Sequence, residues 1–219
     1  MKTHTSKETC RFVVFDVETT GLSPGYGDRI IEIGALQVNI PLVIVPGSGS
    51  SRIRALDIRR LTKGKSFSSL VKVDEDISYG AFLVNRITPA MLQTAPRAEK
   101  ILPEFLKFIA GSCLIGHNVR FDLGFLLHEL SLAGLTLPEV HFMDTVRLAR
   151  RLLPELRRYS LASLIYFLGI DRIQEHRAMS DVELTYLVFR SLLAIADRRD
   201  LCTHSDLLQL CGGRHGRKV

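Results

Sequence analysis

The chain has 219 residues, 46% hydrophobic and 24% charged, which suits one globular domain with a substantial core. Its formal net charge of +6 favours a polyanionic partner, although charge alone does not establish one. Because the sequence shows no apolar run of membrane-spanning length, no apolar segment in its first ten residues and no CxxC pair, we expect a cytoplasmic protein without membrane association.

The first part of the chain is predicted to be rich in strands. Residues 1–10 are polar and are predicted to form a disordered lead-in. β-Branched and aromatic residues predict strands at 11–17, 29–38 and 67–73, spaced closely enough for an antiparallel meander. Between them, residues 39–65 combine prolines, glycines, a serine run and many basic side chains. This segment is predicted to be a long basic loop, either an added nucleic-acid contact or an insertion.

From residue 96 onward the hydrophobic spacing becomes helical. A first helix is predicted to end at Gly111, and a short buried strand follows at about 114–118. Further helices are predicted at 122–133, about 144–153, about 161–168 and about 179–196. Residues 197–219 are predicted to be a mobile basic tail. Three strands followed by helices and short strands predict a mixed α/β sheet, in a domain spanning residues 11–196.

Two acidic residues interrupt the first predicted strand. Asp16 and Glu18 lie in an apolar run typical of a strand buried on both faces, and residues two apart in a strand point to the same side. Two neighbouring carboxylates repel each other unless a cation lies between them, and hard oxygen ligands suit Mg²⁺ or Mn²⁺. We therefore predict a metal site. The alternative is an edge strand that carries two solvated acids.

Two more acids and a histidine are candidates to complete this site. Asp122 follows the predicted strand at 114–118, where a helix begins, and it could equally serve as a helix cap. Ser180 and Glu183 fit a capping box, which places Asp181 in a first helical turn, where a carboxylate stays ionised. His176 would then lie just before that helix, although a histidine alone there is typical of an exposed loop.

In combination these residues resemble the DEDDh exonucleases, and most closely the proofreading epsilon-type subunits of bacterial DNA polymerase III and their stand-alone relatives. The matching segments are Phe-Asp-Val-Glu-Thr-Thr-Gly-Leu, Ile-Glu-Ile-Gly-Ala, His-Asn-x-x-Phe-Asp and His-Arg-Ala-x-x-Asp. They cover roughly residues 11–196 in the family's order. The resemblance implies an α/β fold of the ribonuclease H-like kind, with a central mixed β-sheet flanked by α-helices.

The resemblance also implies an activity. It is metal-dependent 3′→5′ hydrolysis of DNA from the 3′ end, releasing nucleoside 5′-monophosphates. Two divalent cations, Mg²⁺ or Mn²⁺, would be held by Asp16, Glu18, Asp122 and Asp181. His176 would be the general base for the attacking water, because an imidazole exchanges protons near neutral pH.

Substrate-binding residues are implied in two segments. They are Thr19, Thr20, Gly21 and Leu22, then His117, Asn118 and Phe121. The Leu22 side chain would lie against the terminal base, whereas core packing is an equal alternative for Phe121. A group of arginines could follow the phosphate backbone, or could simply form a solvated helix face. These arginines are Arg147, Arg150, Arg151, Arg157 and Arg158.

The expected partners are a single-stranded DNA 3′ end and, in a proofreading role, a DNA polymerase subunit. Alternatives are an exonuclease that degrades RNA or short oligonucleotides, and a non-catalytic nucleic-acid-binding module. Loss of an acidic ligand would favour the module. Because all four acids and the histidine are present, the sequence favours an enzyme.

Overall fold

The computed structural model describes residues 5–46, 52–201 and 203–216. Within these residues the strands are β1 (Thr5–Thr19), β2 (Ile30–Pro46), β3 (Arg52–Leu56), β4 (Thr62–Leu70), β5 (Cys113–Gly116), β6 (Val140–Asp144) and β7 (Gly212–His215). The helices are α1 (Tyr79–Asn85), α2 (Pro89–Leu92), α3 (Ala98–Ile109), α4 (Arg120–Leu132), α5 (Thr145–Leu152), α6 (Leu161–Phe167), α7 (Ala178–Asp197) and α8 (His204–Cys211). The helices predicted from residue 96 onward and the short strand at β5 are confirmed.

The described strands form one mixed sheet. β2 pairs antiparallel with β1 on one side and with both β3 and β4 on the other. β1 pairs parallel with β5, β5 pairs parallel with β6, and β7 closes that end antiparallel to β6. The predicted mixed α/β sheet is therefore confirmed, with β1 near its centre.

The centre of the sheet is buried on both faces, which explains why the sequence of β1 is a nearly continuous apolar run. Phe12 and Val14 belong to the cluster packed under α5, α6, α7 and α8. Val13 and Phe15 belong to the opposite cluster, under α3 and α4. Because successive side chains alternate between two cores, each must be apolar.

The predicted disordered lead-in is wrong for residues 5–10, and residues 1–4 lie outside the described residues. Residues 5–10 extend β1, where Thr9 lies opposite Pro41 and Cys10 opposite Ile40. Their polar composition misled the prediction, because the partner that orders them is about 30 residues away in the chain.

The predicted basic loop at 39–65 is also wrong, apart from residues 47–51, which are not described. β2 continues to Pro46 and pairs with β3, so that Leu42 lies opposite Leu56. β4 then returns along the first part of β2. Ile40, Ala55 and Leu56 are buried and give this extension an apolar side.

The predicted mobile tail at 197–219 is wrong where the structure describes it. α7 extends through Asp197, and α8 begins with a capping box formed by Thr203 and Asp206. α8 buries Leu207 and Cys211 against the core, and β7 joins the sheet. Residues 202 and 217–219 lie outside the described residues.

Among the described residues, no helix combines the length and the apolar character required to cross a bilayer.

Candidate active site

Asp16 and Glu18 lie on β1, the strand that β2 and β5 flank. Asp16 is opposite Gly34 and Glu18 is opposite Glu32 on β2. Both acids are partly buried. The edge-strand alternative is therefore wrong, because β1 has a partner on each side.

Asp181 completes a cluster of three carboxylates. One carboxylate oxygen from each of Asp16, Glu18 and Asp181 lies within 4.8 Å of the others. Asp181 is 4% exposed in the first turn of α7, and its Oδ2 accepts a hydrogen bond from Gln174 Nε2 at 2.7 Å. Its Oδ1 is buried without a hydrogen-bond partner. A cation is the group that such an unpartnered oxygen and two neighbouring acids would accommodate.

Asp122 lies beside this cluster, in the first turn of α4. It is 3% exposed, and its Oδ1 accepts the backbone N–H of Val17 at 3.1 Å. Val17 separates Asp16 from Glu18, so this bond ties α4 to the strand that carries them. The helix-cap alternative is wrong, because Val119 is the N-cap of α4 and has no side-chain cap bond.

The acids raise one another's proton affinity. Burial, aided by the charges of Asp181 and Glu32, raises the pKa of Glu18 to about 8. Burial also raises the pKa of Asp122 to about 8. The pKa of Asp16 is raised well above its usual range by burial and by Asp122 and Glu18. Bound divalent cations would reverse these shifts, so the donor set fits a metal centre.

His176 lies on the turn that precedes α7. Its Nδ1 is 3.8 Å from Asp181 Oδ2, and its side chain is 44% exposed. Its φ of +52° is in the left-handed region, which a residue other than glycine rarely adopts. Surrounding contacts must therefore hold this turn.

Glu32 of β2 supplies those contacts. Its carboxylate, 4% exposed, accepts hydrogen bonds from Arg177 Nε at 2.9 Å and Nη2 at 2.7 Å. It also accepts the backbone N–H of Ala178 at 3.1 Å, which satisfies a free donor at the start of α7. The predicted capping box of Ser180 and Glu183 is wrong, because α7 starts before both residues and Glu183 pairs with Lys63 instead.

A cavity of about 780 Å³ opens beside the acids. It is lined by Val17, Glu18, Thr19, Gly21, Leu22, Ser23, Tyr26, Asp28, Ser78, Gly80, Ala81, Val84, Asn85 and Phe121. Four residues that the resemblance implies for substrate binding are in this lining: Thr19, Gly21, Leu22 and Phe121. Leu22 is 85% exposed. Thr20 is buried, and its hydroxyl accepts the Arg29 N–H at 2.9 Å, so it stabilises the loop.

His117 and Asn118 are not part of that lining. His117 Nδ1 is 2.9 Å from Thr145 Oγ1, and burial lowers the pKa of this histidine. Asn118 has a φ of +64°, and its N–H donates to Asp144 Oδ1 at 3.2 Å. In the described structure both residues therefore stabilise the junction of β5, α4 and α5.

Sequence reasoning missed two polar residues of the site. Gln174 contacts Asp181, and the buried Asn85 donates from Nδ2 to the Thr19 carbonyl at 3.3 Å. The Asn85 side chain also partly offsets the rise in the pKa of Glu18. Gln174 precedes His176 by two residues without belonging to a quoted motif, whereas Asn85 is 66 residues from Thr19 and reaches the site only through the fold.

A mixed sheet flanked by helices, with acids clustered at its central strand beside a histidine, defines a ribonuclease H-like protein with an acidic centre suited to divalent cations. The chain belongs to the Exonuclease family, which matches residues 13–189.

Relatives and solved structures agree with this assignment. The DNA polymerase III subunit epsilon of Rickettsia typhi is 35% identical over 190 residues, which cover 83% of this chain and 73% of the relative. The 3′-5′ exonuclease DinG of Bacillus subtilis is 35% identical over 183 residues, 84% of this chain. The chain spans only 18% of the length of DinG and 11% of a PolC-type DNA polymerase III.

The structural matches support the fold. Exonuclease X, in complex with 5′ overhanging duplex DNA, has a TM-score of 0.62 and 23% identity, covering 91% of this chain and 98% of its own. E. coli Exonuclease I, in complex with a dA16 oligonucleotide, has a TM-score of 0.68 and 20% identity. This match covers 86% of the present chain and 42% of the Exonuclease I chain. The ribonuclease H-like fold expected from the sequence is confirmed.

Proposed function

We propose that this protein is a metal-dependent 3′→5′ exonuclease that hydrolyses single-stranded DNA to nucleoside 5′-monophosphates in the cytoplasm. The observation that carries the proposal is the buried, unpartnered Asp181 Oδ1 within the cluster of Asp16, Glu18 and Asp181. Acids whose oxygens all accept hydrogen bonds from the protein would stabilise the fold. This cluster instead contains a buried carboxylate oxygen that accepts none, so it can serve as a metal ligand.

Asp16, Glu18, Asp122 and Asp181 are proposed to hold two divalent cations, Mg²⁺ or Mn²⁺. When bound, such cations supply positive charge that polarises the scissile phosphate and stabilises the leaving oxygen. Asp122 would contribute from α4, where the hydrogen bond of its Oδ1 to the Val17 N–H holds it beside the other acids. The cations would also offset the repulsion that raises the pKa values of these acids.

His176 is proposed to be the general base. Its Nδ1 faces Asp181 at 3.8 Å, which leaves Nε2 to take the proton of the attacking water. The water oxygen bonds to phosphorus, the bond from phosphorus to the 3′ oxygen breaks, and that oxygen gains a proton. The products are a nucleoside 5′-monophosphate and a shortened strand with a new 3′ hydroxyl.

The 3′-terminal nucleotide is proposed to occupy the cavity between Leu22 and Phe121, with the backbone of Thr19 to Leu22 against its sugar and base. Thr20, His117 and Asn118 would act indirectly, by fixing the loops around the cavity. The cavity borders Glu18, so a nucleotide bound there would present its phosphate to the acids.

The test is digestion of a 5′-labelled single-stranded DNA oligonucleotide with Mg²⁺ or Mn²⁺, beside a chelator control and Asp16→Ala. We expect a ladder that shortens from the 3′ end and is absent from both controls. An intact oligonucleotide that still binds would favour the non-catalytic module. An RNA strand of the same sequence, degraded faster, would redirect the proposal to RNA.

We propose a proofreading setting with a DNA polymerase subunit as partner, because the match extends over 73% of an epsilon subunit. Primer–templates with matched and mismatched 3′ ends provide the test. Faster removal of the mismatched nucleotide, together with co-purification of a polymerase from the native cell, is the expected result. Equal rates without a polymerase partner would contradict it.

A further inference from the structure

Tyr26 stands at the rim of the cavity and contributes nothing to the protein core. Its side chain lines the cavity, yet 94% of the residue is exposed. Leu22, on the same loop, is 85% exposed. Two large apolar side chains presented to water beside an acidic centre indicate a surface that is covered when a ligand binds.

The loop that carries Tyr26 is held in place by hydrogen bonds. Tyr26 ends a 3₁₀ turn, and its N–H donates to the Ser23 carbonyl at 3.1 Å. Asp28 Oδ2 accepts the Ser23 N–H at 2.9 Å, closing the loop from the other side. Gly21 lets this carboxylate approach, since a Cβ there would lie 2.3 Å from Asp28 Oδ1. Tyr26 is therefore presented on a fixed backbone, which lowers the entropy lost on binding.

The walls of the cavity suit a flat apolar group. Ala81 and Val84 of α1 line it together with Phe121, and Glu18 marks its acidic end. A ligand that joins a flat ring to a phosphate beside a cation site is a nucleotide. An exposed aromatic ring beside a bound nucleic-acid strand is the usual surface on which a base stacks, whatever the base sequence.

We propose that Tyr26 stacks on one of the two 3′-terminal bases of the bound strand and strengthens binding without regard to base identity. The inference rests on the proposed function for its substrate class, and it adds a binding residue that the sequence motifs do not contain. Stacking uses the ring face, so the hydroxyl is not required.

The experiment measures binding of a 5′-fluorescein single-stranded DNA by anisotropy, with every variant in an Asp16→Asn background. The added changes are Tyr26→Ala, Tyr26→Phe and, as the matched control, Tyr166→Ala, because Tyr166 is 90% exposed and outside the cavity lining. Each protein is titrated with an ordinary oligonucleotide and with oligonucleotides abasic at the last or the second-to-last position.

We expect Tyr26→Ala to weaken binding of the ordinary strand by about tenfold, and Tyr26→Phe and Tyr166→Ala to leave it unchanged. One of the two abasic strands should bind with equal affinity to the Tyr26→Ala variant and to its Asp16→Asn parent. The base that this strand lacks is then the base that stacks on Tyr26. The inference would be overturned by any of four results. These are an equal loss of affinity for all strands, a loss of affinity with Tyr26→Phe, no loss with Tyr26→Ala, or an Asp16→Asn parent that does not bind DNA. If the native protein cleaves nothing but binding still depends on Tyr26 and one base, only the catalytic proposal fails.

Discussion

Asp181 bonds to Gln174 through one oxygen and leaves the other buried and unpartnered, while Asp16 and Glu18 bring two more carboxylates within 4.8 Å. Placing like charges together in a partly buried site lowers stability, and either protonation or a ligand of opposite charge recovers that free energy. The acids are therefore arranged for binding rather than for folding. Two substitutions separate these effects.

Asp16→Asn should stabilise the metal-free protein and abolish its activity. The asparagine removes both the cost of burying the Asp16 carboxylate and its repulsion by Asp122 and Glu18, so we expect a gain of about 1 kcal/mol in the free energy of unfolding in chelator. Turnover should fall by at least about 100-fold. Urea unfolding and the nuclease assay measure the two effects, with Glu104→Gln, an exposed acid on α3, as the control. A variant less stable than the native chain would contradict the repulsion.

His176→Ala should impair turnover far more than cation binding. Loss of the general base is expected to lower kcat by about 10²–10⁴-fold, because the water must then lose its proton unaided. The rise in thermal midpoint that Mn²⁺ gives should persist, since the acids are unchanged. His141→Ala, at an exposed histidine on β6, is the matched control. Near-normal turnover in His176→Ala would remove this residue from the mechanism.

At the scale of elements, the contact between β2 and the start of α7 brings the two halves of the site together. Glu32 fixes the Arg177 side chain and the Ala178 N–H, and Gly34 lets the two backbones approach. A Cβ on Gly34 would lie 2.6 Å from the Ala178 carbonyl carbon. Any displacement there would move His176 and Asp181 relative to Asp16.

Gly34→Ala should therefore lower both stability and kcat. The added methyl group must push α7 away from β2, at a cost of about 1–3 kcal/mol, and the segment that carries His176 moves with it. Gly124→Ala is the control, because Gly124 lies in α4 with nothing within 4 Å of its would-be Cβ. That change should stabilise the helix by up to about 1 kcal/mol. Unfolding and steady-state assays of both variants provide the comparison, and unaltered kcat in Gly34→Ala would refute the coupling.

For the whole molecule, the acidic centre makes metal-free stability depend on pH. Glu18 and Asp122 have pKa values of about 8 when folded, whereas unfolded carboxyl groups titrate near 4. Between these values the folded state holds more protons on these two groups, so they destabilise the fold least at low pH and increasingly as pH rises towards 8. Each group should contribute about 1.4 kcal/mol per pH unit, so the slope for the two together should be about 3 kcal/mol per pH unit.

Urea unfolding in chelator at pH 5, 6, 7 and 8 measures this slope. Glu18→Gln should show a shallower slope than the native chain, because it lacks one of the carboxyl groups with a raised pKa. Saturating Mn²⁺ should also flatten it. Stability that rises with pH in the metal-free native protein would contradict the assigned shifts.

The sequence predicted the centre of the molecule better than its margins. Asp16 and Glu18 stood out because carboxylates are costly in an apolar strand, and Asp122, His176 and Asp181 stood out because they complete the family motifs in order. Residues 5–10 and 39–65 failed because their order comes from pairing with distant strands, which polar local composition hides. Glu32 stands in the matching Ile-Glu-Ile-Gly-Ala segment, but its contact with Ala178 forms only in the folded chain, so its role could not be read from the sequence.

β7 has a consequence for how copies of the protein behave towards one another. It covers the hydrogen-bonding edge of β6, a strand whose Val140 and Phe142 are buried. Without β7, that short apolar edge would offer unpaired backbone groups to any other strand, the usual starting point of aggregation. The segment after α8 thus protects the sheet from self-association, and shortening the chain there would threaten solubility before it affected the acids.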